Sequence, residues 1–309
     1  MKPLVVLLLA SLLPCSGAFA WSRAGHMVSA AIAYEELSPK ERRIIDKIVA
    51  LAEKHPDRGT LSVAVGNASG KERARRIFLQ LARWPDDIRG SVYDHPTWHY
   101  WSRPIIDAKS PPAKLPDDVP QGSAMEAFAL NLSMASDPRA SAGERAVALC
   151  WIFHLVSDMH QPLHAVSQVS KQFPEGDRGG SRQFVLAPSE RRPVTLHWLW
   201  DDSVIRNGET KAVTRQAADL MRRLPRARFK ELQPFRSTAE FSTWAQESHH
   251  LATTISYGPD LRASDSAASA PELPKEYVDQ SLQTAEQRLT LAGYRLTEVL
   301  RWAFRDEAR

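Results

Sequence analysis

The chain predicts a single, mainly α-helical domain with room for one small β-hairpin. Three observations carry that expectation. Apolar residues recur at three- and four-residue spacing along most of the chain, as in helices that bury one face. Ser38-Pro-Lys-Glu41, Ser141-Ala-Gly-Glu144 and Ser237-Thr-Ala-Glu240 each place a glutamate three residues after a serine, the capping-box signature of a helix start. The 309 residues suit one large domain or two small ones, and no internal repeat, low-complexity linker or strand-rich section divides them.

The elements follow in order. Residues 1–20 read as a secretory leader: Lys2 is the basic start, Leu4–Leu13 the apolar run, and Ala18-Phe19-Ala20 a small-x-small cleavage site. The apolar run is too short for a membrane-spanning helix. Gly25–Leu37 is helical, and Ser38–Glu41 leads into a second helix through Ile44, Ile45, Ile48 and Leu51. Lys71–Trp84 is a basic amphipathic helix. Residues 103–121 are proline-rich and read as a long ordered loop. Ser141–Glu144 starts an apolar helix through Ala146, Leu149, Ile152 and Phe153. Residues 170–194, rich in Gly, Arg and Pro, hold the hairpin near Gln183–Leu186. Leu196–Ile205 and Glu209–Leu224 are helical, Ser237–Glu240 starts a helix to about Ser256, and residues 258–274 read as a mobile surface loop. The last helix has an apolar stripe of Val278, Leu282, Ala285, Leu289, Ala292, Leu296, Val299 and Ala303.

Composition excludes little. The net charge of +4 falls to +3 once Lys2 leaves, too weak a bias to imply nucleic acid by itself. Cys15 leaves with the leader, so Cys150 stands alone and no internal disulfide forms. An exported chain without disulfides needs another staple, and metal is the natural candidate. Asn67-Ala-Ser69 and Asn131-Leu-Ser133 fit the weak glycosylation triplet.

Cleavage after Ala20 would free the α-amine of Trp21, five residues before His26. That amine has an ordinary pKa of about 7.7–8.0, so it can donate a lone pair near neutral pH. Amine and Trp21 carbonyl can chelate one metal, with His26 as a third contact. The remaining histidines concentrate beside carboxylates between residues 95 and 201. His154 and Asp158 lie four apart on one helix face, as do His197 and Asp201. Pro162 ends or bends the first of these helices and turns His164 towards a neighbouring metal. Asp86 and His99 are further candidates, and imidazole with carboxylate suits Zn²⁺. One His-x₃-Asp pair alone is more often a surface pair or a capped core histidine, and Asp86 could simply cap a helix. Recurrence of the pattern shifts the balance towards metal. His55, His95, His249 and His250 read as surface or structural.

These residues carry a specific resemblance. The chain resembles the zinc-dependent single-strand-specific nucleases of fungi and plants, with bacterial relatives, whose fold is shared with zinc-dependent phospholipase C. Trp21-Ser-Arg-Ala-Gly-His26 resembles that family's Trp-x-x-x-Gly-His, Trp84-Pro-Asp86 its Trp-Ala-Asp, and His99-Tyr100 its His-Phe/Tyr. His154–His164 is nearly its His-Phe-x-Gly-Asp-x-His-Gln-Pro-Leu-His, and Leu196-His197-x-x-Trp200-Asp201 its Leu-His-x-x-Trp-Asp. The match runs across nearly all of residues 21–309. It implies three zinc ions: the first on Asp86, His99, His154 and Asp158; the second on His164, His197 and Asp201; the third on Trp21, His26 and a bridging Asp158. His160 would serve behind the ligands or in helix packing. The resemblance implies an exported, periplasmic or secreted endonuclease that cuts single-stranded DNA and RNA to 5′-phosphates, with 3′-nucleotidase activity as an extension. Asp86 would handle the nucleophile's proton and Arg89 would offset phosphate charge. No stable membrane association and no obligate protein partner is expected after leader cleavage.

The chain departs from the family where the base is held. Tyr100 keeps a stacking surface, but Ser102 and Ser181 replace the usual aspartate and asparagine, so base selection is expected to be weak. Two other readings are a phospholipase C on the same fold and a non-catalytic secreted zinc-binding protein. Ligands that leave coordination positions open, together with Arg89, argue against the second.

Overall fold

A computed structural model describes residues 21–306 except 38–40, 115, 117–118 and 260, and omits the side chains of 62–64. The leader and the first three residues of the Ser38–Glu41 box therefore lie outside the described residues. Helices dominate: α1 Arg23–Glu36, α2 Arg42–Ala52, α3 Arg58–Val65, α4 Gly70–Asp87, α5 Ala124–Ser136, α6 Ala142–Asp158, α7 Leu196–Asp201, α8 Thr210–Arg223, α9 Ala239–Leu251 and α10 Lys275–Ala303. Two short sheets join them. β1 Arg103–Ile106 runs parallel to β2 Val166–Val169, with Arg103 opposite Val166, and β3 Phe184–Val185 pairs antiparallel with β4 Val194–Thr195.

Two central helices organise the core. α6 packs against α5, α4, α10 and α2, while α1 packs against α10, α4 and α8. Apolar residues surround α6, and Ala146, Leu149, Ile152 and Phe153 are all fully buried, as a helix inside a core requires. Its start is the expected capping box: Ser141 Oγ accepts from Glu144 N at 3.3 Å, and a Glu144 carboxylate oxygen accepts from Ser141 N at 3.0 Å. α1 and α10 cross so closely that a Cβ on Gly293 would lie 2.6 Å from Ile32 Cβ. The α10 stripe is buried from Ala285 to Ala303 and opens only at its first turns, where Leu282 is exposed.

Several expectations are corrected. α3 and α5 were not anticipated. The proline-rich stretch contains β1, whose Pro104 sits on an edge strand where its missing N–H costs no ladder bond. The helix expected over 196–205 stops at Asp201, where backbone N–H groups turn back onto Trp198 and Trp200. The helix to Ser256 changes to a π turn at Ala252–Ser256. Residues 258–274, expected to be a mobile loop, are stitched to the hairpin by four backbone bonds: Phe184 with Ser264 in both directions, Leu186 N to Pro271 O, and Leu273 N to Leu186 O. Asn131 is buried and donates to Ala127 O, so its triplet is closed to glycosylation. No helix of the described residues is long and apolar enough to cross a membrane.

Candidate metal centre

Six separate stretches of chain bring their polar groups to one buried point. α1 carries His26, the end of α4 carries Asp86, and the loop before β1 carries His99. α6 carries His154 and Asp158, the 3₁₀ turn Pro162–Ala165 carries His164, and α7 carries His197 and Asp201. All eight residues are at most 5% exposed. Their atoms form three triplets, each with ligand atoms within 4.8 Å of one another: His26–His154–Asp158, Asp86–His99–His154 and His164–His197–Asp201. His154 belongs to the first two triplets, and Asp158 lies close to four of the histidines. Its Oδ2 lies 3.2 Å from both His99 Nδ1 and His154 Nε2, its Oδ1 3.3 Å from His26 Nε2 and 3.9 Å from His164 Nδ1. His99 Nδ1 and His154 Nε2 are 2.9 Å apart, and His197 Nε2 is 3.4 Å from Asp201 Oδ2.

These separations fit ions. Zinc bonds of about 2.0–2.2 Å in tetrahedral array put ligand atoms roughly 3.3 Å apart. Protein hydrogen bonds alone leave the cluster unsatisfied: His26 Nδ1 and Nε2, His99 Nε2, Asp86 Oδ2, Asp158 Oδ1 and Asp201 Oδ2 are buried without a hydrogen-bond partner. Such orphaned groups cost free energy unless a cation or water meets them. Backbone carbonyls aim three of the histidines. His154 Nδ1 meets Ala82 O at 2.8 Å, His164 Nδ1 meets His99 O at 2.6 Å, and His197 Nδ1 meets Gly179 O at 2.7 Å. Each carbonyl can only accept, so each Nδ1 carries the proton and the Nε2 lone pair is left for a ligand.

Burial dominates the electrostatics. Desolvation holds the His26 and His99 imidazoles far below the usual histidine range, reinforced for both by the neighbouring His154. Burial also pushes the Asp158 carboxyl up to about 6, against the attraction of His154, and drives Asp201 well above the carboxylate range. Burial lowers His154, but the charges of Asp158 and Asp86 outweigh it and raise the net value.

The other residues singled out from sequence are placed as follows. Trp21 is fully buried, its indole Nε1 donates to Ser157 O at 3.0 Å, and Ser22 N donates to Asp201 O at 3.1 Å. The Trp21 side chain and the Ser22 backbone thus tie this stretch to α6 and to α7. Arg89 Nη2 donates to Asp86 Oδ1 at 2.9 Å. Tyr100 is half-buried, with ring atoms so close to Gly122 that a Cβ there would lie 2.6 Å from Tyr100 Cδ2. Ser102 is buried and its N–H donates to Gln121 O, while the Ser181 hydroxyl is buried without a hydrogen-bond partner. His55 is fully buried against Trp84, His95 stacks on Trp98, and His249 donates towards Ala165 O, which makes them structural.

Two supporting residues, Gln161 and Asp177, went unassigned in the sequence. Gln161 Nε2 donates to Asp201 Oδ1 at 2.7 Å and fixes which carboxylate oxygen faces His197. It lies inside the His154–His164 motif, so a signal was present. His160 is the acceptor for Arg295 Nη1 through Nε2 at 2.9 Å, because its Nδ1 faces Val156 O. Asp177 accepts from Gln168 N, Gly180 N, Gln183 Nε2 and the Tyr257 hydroxyl, and it holds the Gly179–Gly180 turn whose carbonyl aims His197. Nothing local in the sequence marks Asp177.

A family model described as S1/P1 nuclease matches residues 21–305. Endonuclease 3 of Arabidopsis thaliana is 25% identical over 308 residues, covering 94% of this chain and 90% of its own length.

Proposed function

Because the chain belongs to the S1/P1 nuclease family and is thus a phosphodiester hydrolase acting on nucleic acid, we propose that it is a zinc-dependent endonuclease that cuts single-stranded DNA and RNA to 5′-phosphate products and also removes 3′-phosphates from nucleotides. The observation that carries this reading is the gathering of three buried His/Asp triplets, two of them sharing His154, around an Asp158 carboxylate that lies within 3.9 Å of His26, His99, His154 and His164, with buried polar atoms left without hydrogen-bond partners. In this reading Asp86, His99, His154 and Asp158 hold one ion; His164, His197 and Asp201 hold a second; and the Trp21 amine and carbonyl, His26 and Asp158 hold a third. The free amine requires cleavage after Ala20 and export to the periplasm or beyond. The family match beginning at Trp21 supports that boundary.

Zinc bound there would supply Lewis acidity and a water whose pKa falls towards about 7. The chain's own groups do the rest. Arg89 holds Asp86 Oδ1, which leaves Oδ2 to take the nucleophile's proton. The Arg89 charge sits beside the cluster, where phosphate oxygens gain negative charge. Gln161 keeps Asp201 turned towards His197. Tyr100 offers a stacking surface to an unpaired base, which a duplex does not present.

The test compares zinc-loaded mature protein on single-stranded and duplex DNA, on RNA, and on phosphatidylcholine. Release of 5′-nucleotides from single strands is expected. Hydrolysis of the phospholipid with no nucleotide release would establish the phospholipase C reading instead, and full zinc occupancy with neither activity the storage reading.

A further inference from the structure

A cavity of about 500 Å³, separate from the candidate metal centre, lies beyond the far end of the β1–β2 pair, between it and residues 257–259 and 261–264. Both strands leave from the candidate metal centre: Trp101 N donates to His164 O at 2.9 Å, just before β1 and β2 begin. At about 3.3 Å per residue, the strands carry the fold roughly 10 Å from that end.

The cavity is built for a polar, flat, anionic ligand. Gln168 and Gln183 line it, and Gln183 Nε2 donates to both Gln168 Oε1 and Asp177 Oδ2 at 2.8 Å. That arrangement spends one half of each amide inside the protein. It leaves Gln168 Nε2 as a donor and Gln183 Oε1 as an acceptor, the pairing that matches a nucleobase edge. The half-buried Tyr257 adds an aromatic wall, its hydroxyl tethered to the buried Asp177. Lys109 Nζ and Arg262 Nη1 both donate to Pro259 O, at 2.9 and 3.0 Å. Those bonds hold the loop but neutralise neither cation, and no described carboxylate pairs with either. Asp107 on the same rim has one oxygen occupied by Lys109 N.

We propose that this cavity is a second nucleotide subsite, which takes an unpaired base of the substrate strand about three nucleotides from the scissile phosphate. The spacing follows from about 3.4 Å per stacked nucleotide. Gln168 and Gln183 meet the base edge, Tyr257 its face, and Lys109 and Arg262 the adjoining phosphate. The proposal rests on the nuclease reading, and the experiment separates the two.

With metal-loaded enzyme, kcat/KM is measured on single-stranded deoxyadenylates from the dinucleotide to the octanucleotide. A rise of roughly tenfold is expected once the strand spans both positions. The double variant Lys109→Ala/Arg262→Ala and, separately, Gln168→Leu should abolish the rise and leave the dinucleotide rate unchanged. A flat series in the wild type, or variants that lose nothing or lose equally at every length, would overturn the subsite and leave the nuclease reading standing. A wild type that cuts no single strand at any length would remove the nuclease reading itself.

Discussion

Replacing Glu247 with glutamine should destabilise the protein more than almost any other partly exposed substitution. Glu247 on α9 faces two arginines of α10. It accepts from Arg295 at 2.6 and 2.7 Å and from Arg288 at 2.8 Å. The arginine side chains are 3% and 6% exposed, Glu247 27%. Arg288 also donates to His160 O, Trp244 O and Ser248 Oγ, and Arg295 lies 5.0 Å over the Trp244 ring. Burial, then Arg288 and Arg295, holds the His160 imidazole well below its usual range, so it offers a lone pair and no counter-charge. Glu247→Gln keeps the shape and leaves two buried guanidinium groups with no carboxylate in ion-pair contact among the described residues. Breaking a buried pair in this way costs about 3–5 kcal/mol, and the partial exposure of Glu247 places the effect at the lower end, about 3 kcal/mol. For a domain of this size that corresponds to a drop in Tm of roughly 6–12 °C. Urea denaturation and thermal melts at pH 7 on metal-loaded protein measure it. The two arginines pull the Glu247 carboxyl below its ordinary value despite burial. Its contribution is therefore complete at pH 7 and fades as pH falls below about 4.5. A loss under about 1 kcal/mol at pH 7 would refute the reasoning, because it would mean that water reaches both guanidinium groups.

Chelation should lower Tm and abolish activity together, since structural zinc contributes on the order of 10 kcal/mol to folding; a fully metal-free sample with unchanged melting contradicts this. Gly179→Ala should destabilise by roughly 2–4 kcal/mol, because φ is +59° and the new Cβ would lie 2.2 Å from Leu163 O; metal analysis should show His197's ion lost first. Burial lowers the His55 pKa to about 4. Stability from its neutral form is complete above about pH 6.5 and falls as pH drops towards 4, so His55→Leu should flatten a melt series across that window. Cleavage of the four homopolymers should differ little, because Ser102 and Ser181 make no two-point contact to a base; a strong preference lost in Ser181→Ala would show that the serines read bases.

The helices that carry the His/Asp pairs were legible because the spacing suited to a metal and the helical period coincide. His154 with Asp158, and His197 with Asp201, share a face whatever else the chain does. The core helices α1, α6 and α10 showed through their apolar spacing. α5 did not, because Ala124, Ala127, Phe128 and Leu132 are buried while Leu130 points into solvent, so no clean stripe marks the face. α3 is rich in valine, serine and threonine, weak helix formers that tertiary packing overrides. The parallel β1–β2 pair brings residue 103 to residue 166, and no local pattern announces such a partner. Asp177 and the Glu247 cluster were hidden for the same reason: their meaning lies in donors brought from distant segments.

The carbonyls behind His154, His164 and His197 have a consequence for how this molecule can change over evolutionary time. Side-chain props can be deleted one codon at a time; a peptide oxygen cannot. Ala82 can supply the same acceptor whatever residue it becomes, while His99 and Gly179 supply theirs through the backbone, Gly179 from a positive-φ path that only glycine follows without a clash. The orientation of these imidazoles is therefore insulated from drift in the residues around them. Neighbouring positions such as Ser102 and Ser181 are left open to variation in what the enzyme accepts without loosening the proposed metal ligands. Selection for a new substrate range should accordingly find its workable substitutions in that surrounding ring and fail at the glycines that set the chain path.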